Sequence, residues 1–164
     1  MDDNRLADNL AESIEKYHTT VFRVALGYVK SIHDAEDITQ DVFFKLYKRK
    51  DDFVSQEAKK AWLIRVTINE SKNLLKSVWL KRRSDLDESL AAPDDCNSDL
   101  DLYEYVKRLK PKYRTVVYLY YYEQYTAKEI AAILKKPQAT IETQLRRSRE
   151  YLKKTLMEEG YYGT

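Results

Sequence analysis

The sequence predicts an all-α protein in which two small helical domains are joined by an acidic linker, the second domain ending in a helix-turn-helix. Only 3 glycines and 3 prolines occur among 164 residues, so tight turns are few and long helices are favoured. Apolar residues recur at the spacing of amphipathic helices. Alternating strand patterns bounded by turn residues are not evident.

Three helices are predicted in the first half of the chain. An apolar stripe over residues 14–29 indicates the first helix. Asp34 is expected to cap the second helix, whose apolar stripe covers 38–47 and whose end is rich in lysine and arginine, as the helix dipole favours. After a polar loop, a third helix is expected from about Lys59 to Trp79.

Four helices are predicted in residues 102–164, and the first of them opens the domain with the apolar residues Leu102, Tyr105, Val106 and Leu109. Pro111 is expected at the first position of one helix, where its missing N–H is harmless. Thr126 and Glu129 have the spacing of a capping box at the start of the next helix. Pro137 then marks a tight turn, since a proline disfavours helical geometry in the residue before it. The last, cation-rich helix follows.

The charge distribution predicts the domain boundaries. Residues 1–83 form the first domain, 84–101 the linker and 102–164 the second domain. The linker holds seven acidic residues and no basic one, which suits either a solvated tether or a binding segment. The second domain holds 13 basic against 7 acidic residues, a modest surplus that is typical of a polyanion binder.

The composition argues against several kinds of site. A single cysteine, Cys96, excludes an internal disulfide and a multi-cysteine metal site. His18 and His33 show no ligand pattern, so no metal or cofactor is expected. The 14 tyrosines indicate no function by themselves. The polar start is unlike a signal peptide, and no apolar run of about 18 residues occurs, so we expect a cytoplasmic protein without membrane insertion.

The helix-turn-helix, Thr126 to Leu152, is the strongest functional pattern. Such a motif places its second helix in the DNA major groove, where early side chains reach base edges and later ones reach phosphates. Polar residues at the start of this helix and arginines further along suit that arrangement. A capped helical hairpin with exposed arginines also occurs in proteins that bind no nucleic acid, so the rest of the chain has to decide.

Two stretches carry a family resemblance. DAEDITQDVFFKLYKR (Asp34–Arg49) resembles sigma region two, usually DAEDLVQEVFLRLW, and EIAAILKKPQATIETQLRRSRE (Glu129–Glu150) resembles region four, usually EIAEILGISVGTVKSRLHRAR. In this order and at this separation, the chain is similar over about residues 14–156 to bacterial RNA polymerase sigma factors of the extracytoplasmic-function (ECF) group. The resemblance implies core RNA polymerase and promoter DNA as partners.

The region-two resemblance implies a binding surface for the polymerase on the second helix. The residues it assigns to this contact are Asp37, Gln40, Asp41, Phe44 and Tyr47. Asp37 and Asp41 are like charges at i,i+4, which destabilise a helix unless a cationic partner is met. A plain acidic helix face is the alternative interpretation.

The same resemblance implies that the third helix binds and helps to open the −10 element. Here the segment AWLIRVTIN replaces the family's AWLYRIARN. Aromatic and basic groups suit melted DNA. The assigned residues are Lys59, Lys60, Trp62, Arg65, Asn69 and Lys72. A core position for Trp62 is an equally open interpretation.

The region-four resemblance implies that the last helix reads the −35 element. The assigned residues are Gln138, Thr140, Glu142, Thr143, Arg146, Arg147 and Arg149. The chain departs from the family where Glu142 and Gln144 replace a cation and an arginine; these could read cytosine and adenine. Lys135 replaces the usual turn glycine, where a positive φ would cost about 1 kcal/mol.

The predicted function is therefore a sigma factor that directs promoter-specific initiation and performs no chemistry itself. By resemblance, the linker would run through the polymerase cleft and RNA exit path, and an anti-sigma protein is a further partner to test. The alternative is a free-standing helix-turn-helix regulator that binds an operator. An enzyme acting on nucleic acid is disfavoured because the densest acids lie on or beside one helix without a histidine or cysteine partner. They are Asp34, Glu36, Asp37 and Asp41.

Overall fold

The computed structural model describes residues 2–84 and 105–160, in which helices and short connections occur and no strand. Two compact units, Met1–Pro93 and Asp94–Thr164, make up the chain. The helices are α1 (Asp2–Val29), α2 (Ile32–Lys48) and α3 (Gln56–Ser84) in the first unit, and α4 (Pro111–Tyr121), α5 (Ala127–Leu134) and α6 (Gln138–Glu158) in the second. The predicted all-α class is confirmed.

The predicted linker lies outside the described residues except for Ser84, as does Cys96. The predicted opening helix of the second domain falls partly there as well, and residues 105–107 are helical. Within the described ranges, no helix is long and apolar enough to cross a membrane.

Helices α1, α2 and α3 pack around one apolar core. Val21, Ala25 and Val42 are fully buried there, and Leu63 of α3 is nearly so. Each contributes from one face of an amphipathic helix, so burial of these faces holds the three helices together. The opposite faces of the helices are left for solvent or partners.

The start of α2 differs from the prediction. Ser31 caps the helix, since its Oγ accepts a hydrogen bond from the Asp34 backbone N–H at 3.3 Å. The predicted Asp34 cap is therefore wrong. Asp34 lies in the first turn, where its carboxylate is favoured by the helix dipole. The connection from α1 is short because Lys30 adopts a positive φ of 60° and ends that helix.

Two helices of the first unit are longer than predicted. Helix α1 continues back to Asp2 through mostly polar residues. Polar side chains allow the helix to continue, but they do not extend the apolar stripe from which the helix was predicted. Helix α3 starts at Gln56, after Ser55, whose Oγ accepts from the Ala58 N–H at 3.0 Å, and it extends to Ser84. Apolar periodicity therefore located these helices but underestimated their length.

The second unit follows the prediction closely. Pro111 is the first residue of α4, and Thr126 caps α5. Both halves of the capping box form: the Glu129 N–H donates to Thr126 Oγ1 at 3.2 Å, and the Thr126 N–H donates to Glu129 Oε2 at 2.7 Å. Leu119, Ile130 and other apolar residues of α4, α5 and α6 fill its core.

The turn between α5 and α6 has the strained residue that the sequence predicts. Lys135 is left-handed, with φ 53° and ψ 49°, and caps the end of α5. The Lys136 N–H donates to the Ala131 carbonyl at 3.0 Å, which satisfies a carbonyl of the last turn. Pro137 is the N-cap of α6, so the predicted break is confirmed.

Candidate functional site

The outer face of α2 brings together all five residues assigned to polymerase binding. Positions 37, 40, 41, 44 and 47 recur every three or four residues, so they form one stripe. All five side chains are exposed. Phe44 and Tyr47 are about half exposed, at 55% and 49%. Large apolar rings left in solvent beside carboxylates are typical of a surface that meets a partner.

The charges on this face have few partners within the described residues. Asp37 Oδ2 lies 3.6 Å from His33 Nε2, and both side chains are exposed. Lys48 Nζ lies 4.4 Å from the centre of the Phe44 ring. Such exposed contacts are weak, so the carboxylates remain available to a cationic partner.

An apolar groove between α1 and α2 adjoins this stripe. It has a volume of about 800 Å³. Phe44 and Tyr47 form part of its wall, so the groove and the acidic stripe are one continuous surface. The α1 side is formed by Leu10, Ile14, His18 and Phe22. The sequence did not predict the groove, because the groove depends on how α1 packs on α2. The only signal in the sequence was Leu10, an apolar residue one turn before the predicted stripe over residues 14–29.

Helix α3 brings together four of the six residues assigned to the −10 element. Trp62, Arg65, Asn69 and Lys72 recur at helical spacing and share one side of α3. Asn69 and Lys72 are exposed, whereas Arg65 is half-buried. The remaining two residues are Lys59 and Lys60.

The two lysines are placed differently from the other four residues. Lys59 Nζ donates to Ser13 Oγ of α1 at 3.2 Å, which directs this ammonium toward the first helix. Lys60 is half-buried and, by helical spacing, lies on another side of α3 from Trp62. The basic surface on this helix is therefore narrower than the sequence predicts.

Trp62 packs at the edge of the core. Its ring lies 5.6 Å from the Phe53 ring, and the Arg49 guanidinium lies 5.2 Å from the Trp62 ring and 4.3 Å from the Phe53 ring. Trp62 also contacts the buried cluster of the first unit. These contacts favour the packing interpretation of Trp62 over a platform for a stacked base.

The exposed side of α6 carries most of the residues assigned to the −35 element. Thr140 and Thr143 are half-buried, and the rest of the set is exposed. Gln138 Nε2 donates to Glu142 Oε1 at 3.0 Å, so these two side chains restrain one another at the start of the helix. Arg146 Nε lies 4.0 Å from Glu150 Oε1. Arg146, Arg147 and Arg149 follow one to two helical turns after Glu142.

Gln144 does not face outward, and its predicted role as an adenine reader is wrong. It is only 7% exposed, on the same side of α6 as the buried Ile141 and Ser148. Its Oε1 makes no hydrogen bond within the described part of the chain. Positions 141, 144 and 148 are spaced as one helix face, so the spacing could have indicated this burial.

Tyrosines of α4 contact two arginines of α6, which the sequence did not predict. Arg149 Nε donates to Tyr121 Oη at 2.7 Å, and this hydrogen bond raises the pKa of Arg149. The nearby Arg147 guanidinium lowers the pKa of Tyr113. Only the abundance of tyrosine hinted at these pairs, because they depend on how α4 crosses α6.

Two family models match this chain in order. Residues 13–81 match sigma-70 region 2, which covers most of the first unit, and residues 99–152 match sigma-70 region 4, which includes the helix-turn-helix. The exposed stripe on α2 therefore lies in the region-2 match, and Arg146, Arg147 and Arg149 of α6 lie in the region-4 match.

Curated relatives and a solved structure agree with these matches. The ECF RNA polymerase sigma factor SigW of Bacillus subtilis is 28% identical, covering 91% of this chain and 89% of SigW. The RNA polymerase sigma factor SigV of Bacillus subtilis is 27% identical, covering 92% of each protein. The sigma factor RpoE of Bartonella quintana, solved in complex with the anti-sigma factor NepR, has the same fold, with a TM-score of 0.75 at 21% identity over 91% of this chain and 97% of RpoE. The chain belongs to the ECF group of RNA polymerase sigma factors.

Proposed function

We propose that this protein binds core RNA polymerase and directs promoter-specific transcription initiation in the cytoplasm. The observation that carries the proposal is the ordered match of two sigma-70 regions to two compact units. A free-standing regulator is less well supported, because it would leave the whole region-2 unit without a role. Sigma factors are generally regulatory subunits, and we propose no catalytic step for this one.

The polymerase contact is assigned to the stripe on α2. Carboxylates from Asp37 and Asp41, together with the exposed rings of Phe44 and Tyr47, offer a cationic partner both charge and apolar area. Truncating or reversing such charges removes attraction and leaves partner charges unpaired. The adjoining groove can accept apolar side chains of the same partner.

Promoter contacts are assigned to α3 and α6. The exposed Asn69 and Lys72 of α3 suit the backbone and bases of the −10 element, where the helix would help to melt the duplex. On α6, Gln138, Glu142 and Arg146 would face base edges, and Arg147 and Arg149 would lie near phosphates. The proposal assigns residues 1–83 to the first domain, 84–101 to the linker and 102–164 to the second domain.

An anti-sigma protein is a further candidate partner, because the RpoE relative was solved in complex with one. The apolar groove and acidic stripe are the surfaces that such a partner would compete for. Co-purification of this protein from its native cells, followed by competition between the recovered partner and core polymerase for binding to it, tests this assignment.

The deciding experiment is run-off transcription with purified core polymerase on a pool of random promoter sequences. We expect transcripts only when the protein is added, and we expect the recovered templates to share two elements separated by a fixed spacing. A control reaction with the core enzyme and a second, unrelated sigma factor shows that the core is active. No protein-dependent product in the presence of active core would contradict the proposed function.

A further inference from the structure

We propose that Tyr121 of α4 is a positioning residue that holds Arg149 of α6 in place for a backbone phosphate of the −35 duplex. The inference rests on the sigma function proposed above. It adds to the DNA-binding surface a residue that precedes the helix-turn-helix and that was not among the predicted contacts.

The Arg149 side chain is fixed by two neighbouring tyrosines. Its Nε donates to Tyr121 Oη at 2.7 Å, and the guanidinium carbon lies 5.4 Å from the centre of the Tyr120 ring. The two rings pack edge to face with centres 4.9 Å apart, so they support one another. Tyr121 and Arg149 are both exposed, and the pair therefore lies at the surface.

This arrangement leaves Arg149 competent to bind an anion. A guanidinium has five N–H donors and the Tyr121 hydroxyl uses one of them, so donors remain for phosphate oxygens. An arginine that is already held loses less rotamer freedom when it binds. Packing of α4 against α6 would need only the ring of Tyr121. The hydrogen bond from Arg149 to its hydroxyl therefore indicates that the hydroxyl orients the arginine.

The second tyrosine–arginine pair supports the same interpretation. Arg147 lies close enough to Tyr113, near the other end of α4, to lower the pKa of its hydroxyl. Arg147 and Arg149 are two positions apart, which places them on opposite flanks of α6. Phosphates border the major groove on both sides, so a helix in the groove meets them along its flanks.

The test uses holoenzyme, assembled from the full chain and core polymerase, on a promoter recovered by the selection described above. Association constants are measured over a series of salt concentrations. Arg149→Ala is expected to weaken binding and to reduce the salt slope by about one, because one phosphate contact is lost. Tyr121→Phe keeps the ring and the arginine charge. We expect it to weaken binding about threefold to tenfold with an unchanged slope.

The double variant decides whether Tyr121 acts through Arg149. Added to Arg149→Ala, Tyr121→Phe should cause no further loss if its role is to position that arginine. The same loss in both backgrounds would show that Tyr121 acts by itself or through folding, and would overturn the inference. Tyr122→Phe removes a hydroxyl from the next residue, whose ring stacks on Tyr118, and should leave binding unchanged.

Failure of the inference is distinguishable from failure of the proposed function. If no promoter is recovered with active core, the sigma function fails and the inference falls with it. If promoter-directed transcription is robust but Tyr121→Phe binds like the unaltered protein, only the positioning role is overturned.

Discussion

At the scale of single residues, Gln144 is the clearest conflict between side-chain chemistry and position. Its amide is buried on the core side of α6, and its Oε1 makes no hydrogen bond among the described residues. A buried polar atom without a partner costs about 1–3 kcal/mol in desolvation. Gln144 therefore reduces the stability of the second unit, and its side chain adds nothing to the exposed face of α6.

Replacing Gln144 with methionine should stabilise the protein. Gln144→Met keeps an unbranched side chain of similar length and removes the buried carbonyl, so the free energy of unfolding should rise by about 1 kcal/mol. Urea denaturation of the full chain measures the change. Gln138→Met, on the exposed start of the same helix, is the control and should shift stability by less than about 0.5 kcal/mol. A loss of stability in Gln144→Met would show that the amide is engaged.

Lys135 shows strain at the turn of the helix-turn-helix. Its φ of 53° is one that glycine adopts freely and that other residues adopt at a cost. Lys135→Gly should therefore raise the free energy of unfolding by about 1 kcal/mol. Lys128→Gly places the same substitution in the first turn of α5, where the backbone is helical, and should lower the free energy of unfolding by up to about 1 kcal/mol. Thermal and urea unfolding check both values, and a loss of stability in Lys135→Gly would contradict the assigned strain.

At the scale of secondary-structure elements, local chemistry was predictable and tertiary packing was not. The capping box of Thr126 and Glu129 depends on two residues three positions apart, so the sequence alone predicts it. The cap of α2 was misassigned because Ser31 and Asp34 are both good capping residues and only the backbone path selects between them. The pairing of Tyr121 with Arg149 spans 28 positions, and no local pattern encodes it.

The acidic face of α2 yields a prediction about the polymerase contact. Reversing both charges, with Asp37→Lys and Asp41→Lys, should abolish co-purification with core polymerase, because close interfacial charge pairs lost in this way cost about 2–5 kcal/mol. The fold should persist, since both side chains are exposed. The loop pair Asp51→Lys and Asp52→Lys changes the net charge equally and should leave binding intact. Normal binding by the α2 variant would refute the assigned contact.

At the scale of the whole molecule, the proposed function divides promoter recognition between the two units. The second domain, residues 102–164, has a surplus of only six positive charges, 13 basic less 7 acidic, and the start of α6 pairs Gln138 with the anionic Glu142. Non-specific affinity for DNA rises with the number of phosphates neutralised, so this domain alone should bind weakly. Stable recognition then needs the first unit and the polymerase as well.

This division predicts that arginine variants of α6 fail on one kind of template only. Arg146→Ala combined with Arg147→Ala should reduce initiation at a recovered promoter tenfold or more, since each such contact contributes about 1–3 kcal/mol. On a template that lacks the −35 element and carries a pre-melted −10 bubble, the same variant should match the unaltered protein, because only the first unit then meets DNA. Lys153→Ala with Lys154→Ala removes equal charge further along α6 and should have a smaller effect on the duplex promoter. Equal loss on both templates would mean that α6 acts through folding or polymerase binding, and the units would not be separate readers of the promoter.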